Sequence, residues 1–211
     1  KPNLTTWWGL INSWVEKYPL TYQEPTDGTL APQWVVEELS HAANPETIWV
    51  SGVGQHQMWA TQFINFSHPH QWISSGGLGT MGFGLPAAIG ASMARPGEDI
   101  VLLTGDGSIQ MNLQELQTII HHRMPVKIFL INNGGYHSIR QTQKNFFGEP
   151  LVGIGVDSGD LSFPSMEKLA WAYGYPYVSA RHNGELGDAV EKTLAMEGPV
   201  ICEVFVTTDQ N

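Results

Sequence analysis

Two strand-like runs constrain this chain more than any other feature. Ile100-Val101-Leu102-Leu103-Thr104 and Val126-Lys127-Ile128-Phe129-Leu130-Ile131-Asn132 are apolar at nearly every position rather than at alternate ones, so a sheet that contains them must be covered on both faces. Further β-rich runs lie at Thr47 to Ser51, Gln71 to Ser74, Pro176 to Ser179 and Val200 to Val206. Helical patterns separate them: an amphipathic stretch from Pro32 to Ala43, a helix with Leu113, Leu116, Ile119 and Ile120 on one face, and another from about Phe163 to Tyr173 ending at Gly174. In the second of these Asn112 is placed to cap, with Glu115 three residues on, and Pro125 stops the run. The expected fold is α/β, a mostly parallel six-stranded sheet with helices on both faces, which places ligands at the carboxyl ends of its strands.

At 211 residues the chain has room for one core and an appendage. Residues 1 to 31 carry Trp7, Trp8, Trp14 and the turn signal Asp27-Gly28, with one helix around Asn3 to Lys17. They read as an arm connecting from a missing upstream domain, and residues 32 to 208 as the main domain. Lys1 in place of Met, and an end at Gln210-Asn211 that follows an apolar strand directly, lead us to expect part of a longer chain. Only 14% of residues are charged, against about 25% in ordinary soluble domains, and there are eight Trp. Much of this surface is therefore expected to be covered by other domains, in a homodimer or tetramer. The formal charge of −10 leaves no basic surface for nucleic acid, and no apolar run approaches the ~20 residues of a membrane span. One cysteine, Cys202, sits in an apolar run and is expected in the core, which suits a reducing, cytoplasmic setting. His41, His68, His70, His121, His122 and His182 read as surface or satisfied core residues; none has a metal-ligand spacing, so zinc is disfavoured. Residues 145 to 161 form a glycine-bearing loop long enough to be functional or mobile.

The chemistry concentrates at two strand ends. The strand from Ile100 runs straight into Gly105-Asp106-Gly107-Ser108, and the strand from Val126 into Asn132-Asn133, with Asp106 and Asn133 27 residues apart. A helix of about twelve residues climbs ~18 Å and a strand of about six returns ~20 Å, so both side chains finish at one edge of the sheet on adjacent strands. A carboxylate and an amide oxygen converging there are hard ligands suited to Mg²⁺, which completes its shell with waters and phosphate oxygens. Such an ion would supply the counter-charge that this acidic chain lacks for binding a diphosphate. The segment Gly76-Gly77-Leu78-Gly79-Thr80-Met81-Gly82-Phe83-Gly84 contains a G-x-G-x-x-G, so a nicotinamide dinucleotide site is the rival from another reaction class. Its acid would be Glu98 or Asp99, but both precede a strand when that fingerprint wants the acid at a strand's end. A third loop, Gly52 to Trp59, also leaves a strand for a helix and should join the same rim.

On these loops, over roughly residues 30 to 208, the chain resembles the C-terminal, diphosphate-binding domain of thiamine-diphosphate enzymes. Within them it is most similar to acetolactate synthase (acetohydroxyacid synthase) large subunits and acetolactate-synthase-like carboligases. The resemblance implies Mg²⁺ on Asp106, Asn133 and the Gly135 carbonyl, and the diphosphate held by Val53, Gly54, Gln55, His56, Gly107 and Ser108, with Gly105 also at the cofactor where its backbone allows a close approach. It also implies Met81, after Gly79, wedged between the cofactor rings, with Met111 and Tyr136, His137, Ser138 and Ile139 along the thiazolium side. The implied activity is decarboxylation of a 2-oxo acid such as pyruvate and ligation of the remaining two-carbon unit to a second 2-oxo acid; simple 2-oxo acid decarboxylation and a non-catalytic diphosphate-binding module are the alternatives. The activating glutamate of such enzymes belongs to a pyrimidine-binding domain that these residues lack, so this piece alone is expected to be inactive. A flavin, FAD, would sit in an equally absent middle domain. Where biosynthetic members place a tryptophan nine residues after the metal asparagine, this chain has Thr142, which opens the choice of acceptor. Nearby Arg140 suits either a substrate carboxylate or a structural ion pair.

Overall fold

The structure, a computed structural model, describes residues 2–208. Its strands are β1 (Ile48–Ser51), β2 (Trp72–Ser74), β3 (Ile100–Gly105), β4 (Val126–Asn132), β5 (Tyr177–Ala180) and β6 (Val200–Phe205), joined in one sheet of order β2-β1-β3-β4-β6-β5. Every pairing is parallel, as the unbroken apolar runs require. Side chains alternate through the sheet: Val101, Leu103, Phe129 and Ile131 join one buried cluster, and Ile100, Leu102, Ile128 and Leu130 the other.

Helices α2 (Pro32–Ala42), α3 (Gln55–Phe63) and α8 (Asn183–Ala195) cover the first face with Val35, Leu39, Trp59, Phe63 and Leu186. Helices α4 (Gly84–Ala94), α5 (Glu115–His121) and α7 (Met166–Tyr173) cover the second with Leu85, Ala88, Leu116, Ile119 and Ala170. Phe129 and Leu102 are fully buried; truncating either to Ala would cost about 2 to 5 kcal/mol. Lys127, the one cation in these central runs, is buried with its ammonium donating to the carbonyls of Met196 and Gly198, so its charge is met by the chain leaving α8. Cys202 lies in the core as expected, and burial pushes its thiol up to about 11. The six histidines read as surface or satisfied core residues are all exposed, His68 pairing with Glu46 at 2.7 Å. Among the described residues no helix is long and apolar enough to cross a membrane.

Several boundaries differ from the sequence reading. The helix expected from Phe163 begins at Met166, because the Ser165 side chain accepts from the Lys168 N–H and caps it there. Asn112 does not cap α5: its amide donates to the Gly82 carbonyl at 2.8 Å, a distant loop outcompeting the local turn, and residues Ser108–Asn112 form a 3-10 turn ahead of the helix. The packed body also reaches back before residue 32. Leu30 and Ala31 are fully buried, Leu30 bridges to Val206, and the Tyr22 hydroxyl donates to Glu37 at 2.6 Å while its ring meets Phe63 edge-on. Ahead of that anchor, α1 (Thr5–Lys17) buries none of its side chains, and Trp7, Trp8 and Trp14 are all exposed. A further helix, α6 (His137–Phe146), also has no buried residue; it begins at the rim that carries the site.

Candidate cofactor site

The chain leaves β1 for β2 on one side and returns to β3 on the other. The loops after β1 and β3 therefore diverge, and a crevice opens where the winding reverses. A cavity of about 240 Å³ lies there. Val53, Gly54, Gln55 and His56 line it from the end of β1, Gly79 and Met81 from the loop after β2, Gly105, Asp106, Gly107 and Ser108 from β3, and Asn133, Gly135 and Tyr136 to Ile139 from β4. Gly105 is in register with Ile131, so Asp106 and Asn133 leave neighbouring strand ends, as their spacing predicts.

Three named residues fall outside the cavity. Met111 is 46% exposed and abuts Gly82, where an added Cβ would come within 2.6 Å of its own Cβ. Thr142 is exposed on α6, its hydroxyl donating to the Ser138 carbonyl at 3.0 Å. Arg140 pairs with Asp157 at 2.9 Å and donates to the Thr208 carbonyl at 3.3 Å, so the structural ion pair is the one formed here. The glycine run Gly77 to Gly82 contributes Gly79 and Met81 to the cavity, but Asp99 stands just before β3 and Glu98 pairs with Arg95 there. Both acids are thus at the opposite edge of the sheet, out of reach of a ribose at this rim.

Hydrogen bonds between loops fix the cavity wall. The Ser108 hydroxyl accepts from the N–H groups of Val53 at 3.3 Å and Gly82 at 3.4 Å, tying three loops together. Gly107 has no room for a side chain: a Cβ there would lie 2.3 Å from the Tyr136 ring, which also makes an edge-on contact with Phe163. A feature missed in sequence is that the long loop locks the turn after β4. Gly135 pairs with Gly155 across an antiparallel bridge so tight that a Cβ on Gly135 would sit 2.1 Å from the Ile154 carbonyl oxygen. Each glycine has positive φ as well, and only the sheer proximity of two glycines, neither predictable from local pattern, reveals the pairing.

Among the described residues no Lys or Arg lines the cavity. Neither α3 nor α6 has a side-chain cap at its N-terminus, and both start on the cavity wall, the arrangement in which first-turn N–H groups take an anion. His56 is buried against the backbone of Gly52, Gly54 and Gly105. Burial lowers its imidazole to about 4, against a weaker opposing hydrogen bond to Gly52, so it is neutral near pH 7, and its Nε2 has no protein partner.

Asp106 is the most perturbed acid of the site. Only 5% of it is exposed; Oδ1 accepts the Gly107 N–H at 2.9 Å and Oδ2 is buried without a partner. Burial pushes its carboxyl up to about 7, opposed by the N–H groups of Gly107, Gly134 and Gly135 and reinforced by the charge of Glu203. An orphaned carboxylate oxygen that shares a cavity wall with the Asn133 amide and the Gly135 backbone offers oxygen donors of the kind that fit a hard divalent cation. Among the described residues no three His, Cys, Asp or Glu side chains gather, so a softer metal finds no ligand cluster.

Comparison with known proteins agrees with this geometry. Residues 52–204 match the family described as thiamine pyrophosphate enzyme, C-terminal TPP binding domain. The chain is 40% identical over 207 residues to the acetolactate synthase large subunit IlvB1 of Mycobacterium tuberculosis, covering 98% of this chain and 34% of that protein. It is 42% identical over 193 residues to the chloroplastic acetolactate synthase 2 of Nicotiana tabacum, covering 90% and 29%, and 39% identical over 212 residues to the acetolactate synthase large subunit of Cyanidium caldarium, covering 100% and 35%. The chain thus spans about a third of the length of these relatives. The match across residues 52–204, which holds β2 to β5, all but the last residue of β6 and the whole rim just described, means that the chain belongs to the thiamine pyrophosphate enzymes and carries their C-terminal TPP binding domain.

Proposed function

We propose that this chain is the diphosphate-binding part of an acetolactate-synthase-type carboligase, which decarboxylates a 2-oxo acid such as pyruvate and joins the two-carbon remainder to a second 2-oxo acid. The observation that carries the reading is the buried, partnerless Oδ2 of Asp106 at a strand-end cavity that no Lys or Arg among the described residues lines. A divalent ion held by Asp106, Asn133 and the Gly135 carbonyl would satisfy that oxygen and give a diphosphate its counter-charge; Mg²⁺ suits these ligands. Val53, Gly54, Gln55, His56, Gly107 and Ser108 then face the diphosphate. Gly79 and half-buried Met81 line the same cavity and would support the bend between the two rings, and Tyr136 to Ile139 would line the thiazolium side. Thiamine diphosphate, when bound, supplies a cationic ring that accepts the electron pair released by decarboxylation. The chain's part is to orient that ring and exclude water, a contribution that reaches ~7 to 11 kcal/mol in well-aligned systems.

The activating carboxylate comes, in this reading, from a pyrimidine-binding domain outside these residues, contributed within a homodimer or tetramer. Exposed Trp7, Trp8 and Trp14 on α1 suit a surface that other domains cover. Buried, thiol-form Cys202 suits a reducing compartment, the cytoplasm in organisms without plastids.

The test is the full-length protein supplied with pyruvate, thiamine diphosphate and Mg²⁺. Acetolactate and carbon dioxide are the expected products, with Asp106→Ala losing cofactor affinity and turnover together. Acetaldehyde as sole product would make the protein a simple decarboxylase. Full activity in Asp106→Ala would remove the metal assignment altogether.

A further inference from the structure

Glu203 is a carboxylate on an otherwise apolar central strand, β6, and is 4% exposed. Burying a charge costs several kcal/mol unless hydrogen bonds replace its water, and a Leu or Val would pack there without that cost. Its partners show what it holds. Oε1 accepts from the Asn132 amide nitrogen at 2.7 Å, and Oε2 accepts from the Tyr177 hydroxyl at 2.5 Å. Because a carboxylate only accepts, the Asn132 amide has a single orientation, with Oδ1 turned to the Gly134 N–H, which it receives at 3.0 Å. Gly134 lies between Asn133 and Gly135. A second cavity, of about 320 Å³, is lined by Glu203, Asn132 and Tyr177 and by Asp106, which also lines the cofactor cavity. The relay therefore runs directly behind the cation site.

We infer that Glu203 is a positioning residue for the metal-binding turn: through Asn132, and steadied by Tyr177, it sets the backbone that presents Asn133 and Gly135 opposite Asp106. The inference rests on the proposed Mg²⁺ and thiamine diphosphate site. Groups that orient metal ligands without touching the metal change metal affinity by about 10- to 100-fold when removed.

An exchange of the two partners separates geometry from charge. Asn132→Asp sets a carboxylate against Glu203; the added negative charge by itself would tighten a cation beside it, whereas loss of the relay loosens it. Glu203→Gln keeps an oxygen for Asn132 but removes one negative charge near the cation, so its constant gives the charge contribution against which the other variants are read. The double variant Asn132→Asp/Glu203→Gln restores a donor and acceptor in exchanged places, and the carboxylate introduced on β4 still accepts from Gly134. The readout is the apparent Mg²⁺ dissociation constant of the full-length protein, from Mg²⁺-dependent quenching of tryptophan fluorescence by thiamine diphosphate. A rise of about 10-fold or more in Asn132→Asp, recovered in the double variant, is expected. Tyr177→Phe removes one hydroxyl and keeps the test decisive should Asn132→Asp not fold: weaker Mg²⁺ binding supports the relay, and an unchanged constant overturns it. Tighter binding in Asn132→Asp, or no recovery in the double variant, also overturns it. Wild-type protein that binds no thiamine diphosphate with Mg²⁺ overturns the proposed function and this inference with it, whereas equal binding by all variants overturns this inference alone.

Discussion

Replacing Asp106 by Asn should stabilise the metal-free protein while destroying its metal site. The carboxyl titrates near 3.8 in an unfolded chain and is pushed up to about 7 in the fold, chiefly by burial. Between those values the folded state holds a proton that the unfolded state has lost, so stability falls as pH rises from about 4 to about 7 and stays low above. At about 1.4 kcal/mol per pH unit the ceiling on this cost is about 4 kcal/mol. Some of it is relieved by water at the cavity mouth, and we expect at least about 2 kcal/mol to be measurable. Asn is nearly isosteric, its oxygen can still accept the Gly107 N–H, and it carries no charge to bury. The assay is urea unfolding followed by tryptophan fluorescence in EDTA, for both proteins, from pH 4.5 to 8.5. The stability difference should be smallest, about 1 kcal/mol or less, at the acid end, grow toward pH 7 in favour of Asn, and level off. Thiamine diphosphate with Mg²⁺ should then reverse the order, because only the wild type binds it. A variant less stable than wild type at pH 8, or a difference that does not change with pH, would refute the reasoning.

His56 gives the opposite slope. Its imidazole protonates near 6.5 when unfolded but only near 4 in the fold, so acid removes up to about 3 kcal/mol between those values; His56→Gln should flatten that loss, measured by urea midpoints in the Asp106→Asn background, where the two slopes no longer offset each other. In Gly107→Ala the new methyl meets the Tyr136 ring at 2.3 Å, a strain of about 1 to 3 kcal/mol. Thiamine diphosphate titration should show weaker binding, and Tyr136→Ala in the same chain should recover part of it. Thr142→Trp places a large ring on the exposed middle of α6, the helix that starts on the cavity wall; competition between pyruvate and 2-oxobutyrate should show a product ratio shifted toward the 2-oxobutyrate adduct, and an unchanged ratio would remove Thr142 from acceptor choice.

What could be read in advance, and what could not, follows from the range of the interactions involved. Strands such as Ile100–Gly105 announce themselves because burial on both faces leaves no polar position to interrupt them. Asp106 and Asn133 converge for the same reason: once two adjacent parallel strands are in register, any residue just past their ends must share an edge. The glycines at 105 and 107 and the loop from Val53 to His56 follow from where parallel sheets bind ligands. Contacts that depend on a partner far along the chain leave no such trace. Asn112 has the local pattern of a cap, yet a carbonyl thirty residues upstream takes its amide. Arg140 offers a fork that suits any carboxylate, and only the folded loop decides that Asp157 takes it. Glu203 was invisible as a site residue because its strand reads as plain core and its partners, Asn132 and Tyr177, stand 71 and 26 residues away. Its charge is tolerable in that core only because both oxygens are occupied, so the residue that looks most out of place in the sheet is the one whose removal is expected to loosen a metal it never touches.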